Sequence, residues 1–452
     1  MADSIYTLLI VESPVLAERI QRLCPSSIYV LSTDGYCWNP VYDAEKNELK
    51  AIADPEKVEL RKEIKEQASW ANNIIIATDS DPSGDFITWS LAKFLNMSGI
   101  KRGKIQSLSR NGVLNMIHDV SELQHPSLEE RLKNRYLIQH EWAQSNLPPF
   151  QLSGLTAVFG AIKTHNSFRD KNGYLYYSSK PMKSASEEWI SVHPSDGKNE
   201  YRIYKPLSTF DVIAMIIESE LASSYSDAQS LLQELFQARM PFSDHSLISY
   251  PRTRANAFYS ETWENFRNQY VQFSSQSDLK PRFLQDVADP ESPHESIHPL
   301  SLTLKPTEVT KELPKRLTRL YKLIYKTTLK SIKLPEPASK TWKNHLNPDI
   351  YFYPDEEIDK EPSSLRPNMR PNQLGDALSK LGVLRPSNFG SFLDKCIYKK
   401  WITIKNNDVE PGKAVRVNLT ESESLLKKLT SLKKLADDSS LKPETVRSII
   451  SS

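Results

Sequence analysis

The sequence predicts an α/β domain with a parallel sheet over residues 1–120, followed by a mostly α-helical region made of several segments. Three observations lead to this prediction. Apolar runs alternate with helical patterns in the first 120 residues, helical patterns dominate from residue 121, and a stretch rich in aromatic and β-branched residues interrupts them at 166–205. With 452 residues, the chain has room for about two to four domains of ordinary size.

The N-terminal elements follow from hydrophobic patterning. The run IIIAT, within 73–78, is apolar throughout and therefore indicates a strand buried on both faces. The expected elements are, in order, a strand at 6–11, a helix from about residue 14, a strand at 27–31, a helix at 55–67, a strand at 73–78 and a helix carrying Phe86, Trp89 and Leu91. Alternation of this kind predicts a parallel sheet with helices on both faces.

Beyond residue 120, changes of composition divide the chain into further segments. Ser208 or Thr209 is the expected N-cap of the helix DVIAMIIESEL. The predicted segments are helices at 121–165, short strands or loop at 166–205, a helical domain at 206–310, a helix at 311–333, a connector rich in Pro, Asp and Glu at 334–371, two helical patterns and a wing at 372–425, and a polar tail at 426–452.

Composition excludes little. The net charge is only +2, from 58 basic and 56 acidic residues, which is compatible with a local basic groove and neither supports nor excludes DNA. Three cysteines form no CxxC pair, which argues against a zinc ribbon and a disulfide framework. The N-terminal apolar run is too short for a signal peptide, and no run reaches transmembrane length. We therefore expect a reducing, cytoplasmic location and no membrane partner.

Carboxylates follow two of the predicted strands. Glu12 comes directly after YTLLIV, and Asp79 and Asp81 come after NNIIIAT. Acids at the carboxyl edge of a parallel sheet lie where such folds bind ligands, and alternate carboxylates can share one Mg²⁺. The alternative is an Asp-rich turn that caps the next helix, and spacing alone favours this alternative.

The sequence motifs that contain these acids resemble those of a known family. LLIVESP is similar to the opening strand of the Toprim domain of type IA DNA topoisomerases, and ATDSDPSGDFITWSL is similar to the ATDxDREGExIAWxL block of that family. The resemblance implies that Glu12, Asp79 and Asp81 are metal-binding acids and that Mg²⁺ is the cofactor.

The same block departs from the family at several positions. The third acid of the block falls on Ser83, its arginine on Pro82, and Asp85 takes the place of the glutamate after the glycine. The lysine expected just after ESP falls on Leu16, and its other common placement falls on Ser13. A positioned cation stabilises the charge that develops on the phosphate during cleavage. The absence of the lysine and of one acid is therefore expected to affect the cleavage rate and the affinity for metal.

SLISYPRTRA, at 246–255, resembles the segment LITYPRT, which carries the nucleophilic tyrosine of the family. Tyr250, Arg252 and Thr253 match it position for position, and Arg254 replaces an Asp or Ser. The resemblance makes Tyr250 the nucleophile. Arg252 can clamp phosphate oxygens with its planar fork, and Pro251 stiffens the chain beside the nucleophile.

Further matches occur in family order. PHESIHPL resembles AHEAIRPT, with His294 matched and His298 in place of an arginine; His294 is expected to hydrogen-bond the scissile phosphate or to relay a proton. LGVLRPSNFG resembles the GRPS element, so Arg385 and Ser387 are expected near the DNA backbone. A polar turn between two amphipathic helices is the competing interpretation. Thr156 stands where the family has an arginine.

The resemblance covers residues 6 to about 420 and includes 409–419 as a wing. It implies a Toprim domain, a helical topoisomerase IA core with winged-helix-like elements, and a reduced β arch at 166–205 and 334–371, in a compact, divergent member lacking a zinc-ribbon C-terminal region. The catalytic residues would be Tyr250, Arg252, His294 and Glu12, and the DNA-binding residues Arg385, Ser387, Thr253 and Arg254.

The implied function is cleavage and rejoining of one DNA strand through a 5′-phosphotyrosyl intermediate, which relaxes negative supercoils without ATP. The expected partner is DNA, in single-stranded regions and in supercoiled duplex, and the expected state is a monomer. Leu16, Ser83 and Thr156 motivate a second hypothesis, a catalytically impaired DNA-binding protein. A third, a Toprim nuclease, needs the acids and not Tyr250.

Overall fold

The fold is described from a computed structural model. Its described residues are 6–79, 82–105, 110–123, 125–161, 167–169, 175–178, 192–202, 204–238, 246–271, 279, 281, 283–285, 294–333, 336–344, 351–355, 369–405, 407–438 and 441–452. Within them, no helix is both long enough and apolar enough to span a lipid bilayer. Asp81, one of the expected metal-binding acids, lies outside the described residues.

The N-terminal part is the predicted α/β domain. Its strands are β1 (Thr7–Val11), β2 (Ile28–Ser32), β3 (Trp38–Asp43), β4 (Glu48–Ala53), β5 (Asn73–Ile76), β6 (Lys101–Arg102) and β7 (Ser121–Glu122). Its helices are α1 (Pro14–Leu23), α2 (Val58–Trp70), α3 (Pro82–Leu95) and α4 (Arg110–His118). Five strands form one sheet in the order β2-β1-β5-β6-β7. All neighbours in this sheet are parallel except β6 and β7.

The alternation of β1 explains why both faces of the sheet are covered. Leu9 and Val11 belong to a hydrophobic core that includes residues of α1 and α4, whereas Leu8 and Ile10 belong to a second core that includes residues of α2 and α3. Burial on both faces is what the continuous apolar runs predicted. The antiparallel hairpin of β3 and β4 was not predicted from the sequence.

The parallel register brings three strand ends together. Ile10 of β1 lies beside Ile76 of β5, and Ile76 lies beside Arg102 of β6. Since the three strands run in the same direction, the residues that follow them leave the sheet at the same carboxyl edge. This is the edge at which α/β sheets place ligands.

Beyond the α/β domain, helices account for most of the residues that the structure describes, as predicted. They are α5 (His125–Gln144), α6 (Phe150–Ala161), α7 (Thr209–Glu218), α8 (Tyr225–Gln237), α9 (Ser260–Val271), α10 (Pro306–Val309), α11 (Lys315–Ile332), α12 (Pro371–Lys380), α13 (Phe389–Tyr398), α14 (Lys413–Val417), α15 (Ser422–Leu435) and α16 (Pro443–Ser451). Ser208 is the N-cap of α7 and forms a capping box with Asp211, which confirms one of the two expected caps.

Helix α1 also joins the α/β domain to the helical region. Arg19 is buried, and its Nη1 donates to the carbonyl oxygens of Phe236 at 3.1 Å and Ala238 at 3.3 Å. These two carbonyls lie at the C-terminal end of α8. The last carbonyls of a helix have no hydrogen-bond partner within the helix, and a cationic side chain is a favourable donor to them.

The two segments expected to form a reduced arch pair with each other. They supply β8 (Ser167–Arg169), β9 (Leu175–Ser178), β10 (Val192–Arg202), β13 (Glu336–Asn344) and β14 (Tyr351–Asp355), which form an antiparallel sheet in the order β10-β13-β14-β9-β8. Between them in the chain, β11 (Phe258–Tyr259) and β12 (Leu284–Gln285) form a separate parallel pair. β13 and β14 lie within 334–371, where composition indicates a connector and the family resemblance implies part of the arch. Their strand partners lie far away in sequence, so local composition did not reveal the pairing.

Two C-terminal predictions are also corrected. The wing is the antiparallel hairpin β15 (Ile402–Lys405) with β16 (Asp408–Pro411), not 409–419, because the chain turns at Gly412 into α14. The predicted polar tail folds as α15 and α16, which bury Leu425, Leu429 and Val446. Leucines at helical spacing among Lys and Ser give α15 an apolar face that the polar composition concealed.

Gly84, in the first turn of α3, lies against the end of β5. A Cβ built on Gly84 would lie 2.0 Å from the carbonyl oxygen of Asp79, and Thr78 Oγ1 donates to the Gly84 carbonyl at 2.7 Å. The short polar segment after β5 can therefore pack on α3 only if residue 84 has no side chain.

We expect Gly84→Ala to lower the free energy of unfolding by about 3 kcal/mol, because the new methyl group overlaps backbone that cannot move independently. Helix propensity alone predicts the opposite sign, a gain of up to about 1 kcal/mol. Urea unfolding followed by circular dichroism measures the difference. The control is Ser83→Ala, an exposed neighbour in the same turn, and a stabilised Gly84→Ala variant would contradict the packing argument.

Candidate active site

Two of the three expected metal-binding acids stand at the carboxyl edge of the sheet. Glu12 directly follows β1 and lines a cleft, and Asp79 follows β5 with its side chain only 13% exposed. The described residues include no group of three His, Cys, Asp or Glu side chains arranged to hold a metal ion. Glu12 and Asp79 nevertheless suit Mg²⁺, which one or two carboxylates bind together with phosphate oxygens.

Arg102, at the end of β6, holds the segment after β5 in place. One guanidinium nitrogen donates to Thr78 Oγ1, and the other donates to the backbone oxygen of Asp79 at 2.9 Å. The same side chain lies 3.7 Å from Asp85, which is also 3.7 Å from Arg135. Asp85, which takes the place of a family glutamate, is therefore engaged by two arginines.

The tyrosine segment has no regular secondary structure and is fixed by pairing with residues 294–300. Ser249 N donates to the His298 carbonyl at 2.9 Å, and Ser249 Oγ donates to the Ser296 carbonyl at 2.9 Å. Thr253 Oγ1 donates to the His294 carbonyl at 3.1 Å, and Thr253 N donates to Thr209 Oγ1 at 2.8 Å. These bonds fix the backbone on both sides of Tyr250.

The rings of Tyr250 and His294 are in contact. Their centroids are 4.3 Å apart with an interplanar angle of 37°, and Phe236 meets Tyr250 edge-on at 5.8 Å. Only 8% of Tyr250 is exposed. The nucleophile predicted from the sequence therefore packs against two neighbouring rings, and it is one of the residues that line the cleft.

Arg252 forms an ion pair that the sequence did not predict. Its Nη1 is paired with Oδ2 of Asp79, so the expected phosphate clamp and an expected metal ligand are bound to each other. Both side chains are shielded, with 32% of Arg252 and 13% of Asp79 exposed. The pair also joins the tyrosine segment to the sheet edge.

One cleft, with a volume of about 1420 Å³, collects most of the expected site. Glu12, Tyr250, Arg252, Thr253, Arg254, His294, Arg385 and Ser387 all line it. Eight basic and five acidic side chains line this cleft, so it is locally positive in a chain whose net charge is only +2. A positive groove with low-dielectric walls concentrates phosphate ligands.

Several cleft residues carry no signal in the sequence. They are Arg102, Lys104, Arg131, Arg135 and Lys433. Arg102 ends β6 and Lys104 follows it, and a strand of two residues is too short for patterning to detect. Lys433 belongs to the segment predicted as a tail. A prediction of β6 would have placed Lys104 at the carboxyl edge.

Three departures from the family have structural explanations. Leu16 is buried in the core around α1, and Thr156 is fully buried with its hydroxyl donating to the Leu152 carbonyl at 3.0 Å. His298 is buried as well, with Nε2 3.1 Å from Glu295. None of these three lines the cleft. His298 therefore does not replace the cation that the family has at this position.

Burial keeps His294 uncharged. Desolvation, and secondly the positive charge of Lys104, lower the pKa of His294 from 6.5 to about 4. At neutral pH the imidazole is therefore neutral and can donate only one ring N–H.

This low pKa predicts a pH effect on stability. Because the folded-state pKa lies below the unfolded one, the unfolded chain binds the proton more tightly, and stability is lost as pH falls from 6.5 towards 4. For a shift of this size we expect a loss of about 3 kcal/mol between pH 7 and pH 4. The free energy of unfolding of His294→Gln should fall by about 3 kcal/mol less than that of the wild type over this pH range, as measured by urea unfolding at matched pH values. Identical pH profiles for the two proteins would contradict it.

The comparisons with known proteins agree with this architecture. A family model described as the Toprim domain matches residues 7–109. The chain is 20% identical to DNA topoisomerase 1 of Mycoplasma pneumoniae over 444 positions, which cover 76% of this chain and 62% of that protein. It is 19% identical to DNA topoisomerase 1 of Thermotoga maritima over 487 positions, which cover 89% of this chain and 76% of that protein.

Among solved structures, the chain is similar to full-length topoisomerase I from Thermotoga maritima, with a TM-score of 0.67 and 16% identity. The match covers 98% of this chain and 89% of that one. Similarity at this identity shows the fold. The chain spans less than two thirds of the Mycoplasma relative's length.

Proposed function

We propose that this chain, a divergent member of the type IA DNA topoisomerase family, cleaves and rejoins one DNA strand through a phosphotyrosyl bond at Tyr250. One observation carries the proposal: Tyr250, Arg252, His294 and Glu12 line the same basic cleft.

The cleft suits a single DNA strand. Arg252, Arg254 and Arg385 supply planar forks for phosphate oxygens. Tyr36 and Phe150 add aromatic side chains to the lining, and such faces stack on unpaired bases whatever their sequence. The substrate class that follows is single-stranded DNA, including the unpaired regions of a negatively supercoiled duplex.

In the proposed reaction, Oη of Tyr250 bonds to phosphorus while the bond from phosphorus to the 3′ oxygen breaks. The phenolic proton passes to solvent and the leaving 3′ oxygen gains one, so the products are a 5′-phosphotyrosyl ester and a 3′ hydroxyl. His294, which is neutral at pH 7, donates a hydrogen bond to a phosphate oxygen without transferring a proton. Because one ester replaces another, rejoining needs no ATP.

Glu12 and Asp79 are the described residues that would hold Mg²⁺, and Asp81 completes the set that the family resemblance implies. A bound Mg²⁺ would neutralise phosphate charge and orient the phosphodiester. Arg252 competes for Asp79 and must exchange it for phosphate when metal and DNA are both present.

A second candidate function is DNA binding without cleavage. It rests on Leu16, which is buried in the core where the family has a lysine near the scissile phosphate. It predicts tight binding of single-stranded DNA and no covalent product.

The deciding experiment uses one oligonucleotide labelled separately at its 5′ and 3′ ends. Each form is incubated with the protein, with and without Mg²⁺, and then denatured rapidly. A 5′-phosphotyrosyl bond keeps the 3′-end label on the protein and releases the 5′-end label. Peptide mapping of the labelled protein should place the DNA on the peptide containing Tyr250.

The other outcomes separate the alternatives. Labelled fragments without any covalent product would indicate a Toprim nuclease. Tight binding with neither fragments nor covalent product would support the non-catalytic function.

A further inference from the structure

Lys104 lies just beyond the carboxyl end of β6 and lines the cleft. In the sheet, Ile76 lies between Ile10 of β1 and Arg102 of β6. Glu12 comes two residues after Ile10, and Lys104 comes two residues after Arg102. Both residues lie just past the carboxyl ends of strands that run in the same direction. The register therefore brings Lys104 to the carboxyl edge that carries Glu12.

The backbone just before Lys104 is fixed. Gly103 N donates to the Ile76 carbonyl at 3.0 Å, and a Cβ on Gly103 would lie 2.5 Å from Sδ of Met116. Gly103 is thus packed tightly against the sheet and α4.

Lys104 itself is exposed and lines the cleft together with Tyr250 and His294. Within the described part of the chain, no carboxylate lies within ion-pair distance of its ammonium group. Two other cations near the acids make contacts within the protein. Arg102 contacts Thr78 and Asp79, and Arg252 pairs with Asp79, which it would have to leave to bind phosphate.

We propose that Lys104 is a catalytic residue that neutralises a non-bridging oxygen of the scissile phosphate and so replaces the lysine that position 16 lacks. This proposal rests on the proposed function. As Tyr250 attacks, charge on the phosphate oxygens grows, and a positioned ammonium group stabilises it. The lysine side chain forms and breaks no covalent bond in this step, so no further reactant is required.

The effect of Lys104 on the pKa of His294 agrees with this placement, because a charge can act on a buried imidazole only from nearby. This gives a readout that does not depend on activity. In Lys104→Ala, the pKa of His294 followed by NMR should rise. An unchanged pKa would place Lys104 away from the Tyr250–His294 pair and overturn the proposal.

The kinetic test measures single-turnover formation of the covalent product at saturating single-stranded DNA, with DNA affinity measured separately. Lys104→Ala should lower the rate by about 10²-fold while binding weakens far less, and Lys104→Arg should retain more of the rate because its charge remains. The control is Lys101→Ala, which removes the same charge from the start of β6, outside the cleft lining.

A rescue variant makes the test sharper. Ser13, at the start of α1, is the other common family position for the lysine. Ser13→Lys in the Lys104→Ala background should raise the single-turnover rate at least about tenfold above that of Lys104→Ala alone. If the wild type forms the covalent product and Lys104→Ala forms it at the same rate, this proposal falls and the proposed function stands. If the wild type forms none, both fall.

Discussion

Replacing Tyr250 with phenylalanine is expected to abolish the covalent DNA–protein product, a loss of at least about 10⁴-fold when a nucleophile is removed. The variant should fold normally. Its ring keeps the contacts with His294 at 4.3 Å and Phe236 at 5.8 Å, so the free energy of unfolding should change by no more than about 1 kcal/mol. DNA affinity should change little because the basic cleft is intact.

The matched control is Tyr259→Phe, another buried tyrosine nearby in sequence that does not line the cleft. Both variants are assayed with 3′-end-labelled single-stranded DNA and rapid denaturation. A covalent product that persists in Tyr250→Phe would move the nucleophile to another residue, and its loss in both variants would point to a packing effect.

Arg252→Ala is expected to have the second largest effect, lowering single-turnover cleavage by about 10²- to 10³-fold. The guanidinium is the fork nearest to the nucleophile in sequence, two residues beyond Tyr250, and it lines the same cleft. Arg252→Lys should recover only part of the rate, because a point charge cannot bond two phosphate oxygens at fixed geometry.

The ion pair with Asp79 adds an effect of opposite sign. Without Arg252, the Asp79 carboxylate loses its competing cation, so Mg²⁺ binding measured by calorimetry without DNA should strengthen by about fivefold, the value of an ion pair worth about 1 kcal/mol. Arg267→Ala, which breaks an exposed pair with Glu264, should change neither quantity. Weaker Mg²⁺ binding in Arg252→Ala would show that the arginine supports the metal site.

The parts of the fold that were predicted correctly are those in which local pattern decides the structure. β1 and β5 are apolar at every position after the first because both of their faces are buried, and Ser208 caps α7 through its own side chain. The parts that were missed depend on distant partners. β6 is two charged residues long and exists only through its pairing with β5 and β7.

The site divides in the same way. The sequence indicated Tyr250, Arg252, His294 and Arg385, and the fold brings them into one cleft. The pairing of Arg252 with Asp79 joins residues 173 positions apart, so no local pattern could reveal it. Lys104 belongs to no motif, and only the register of three strands shows its place at the sheet edge.

Arg19 sets a condition on any movement that carries another strand through the break. Its buried guanidinium donates to two carbonyls at the end of α8, shortly before the tyrosine segment begins. If α8 moves away from the acids together with the tyrosine segment, these two hydrogen bonds break and the buried guanidinium becomes hydrated. The contact between Arg19 and the end of α8 would then set how often the two parts separate, whereas the cleft residues set the rate of strand cleavage. A substitution at Arg19 could therefore change strand passage without changing cleavage.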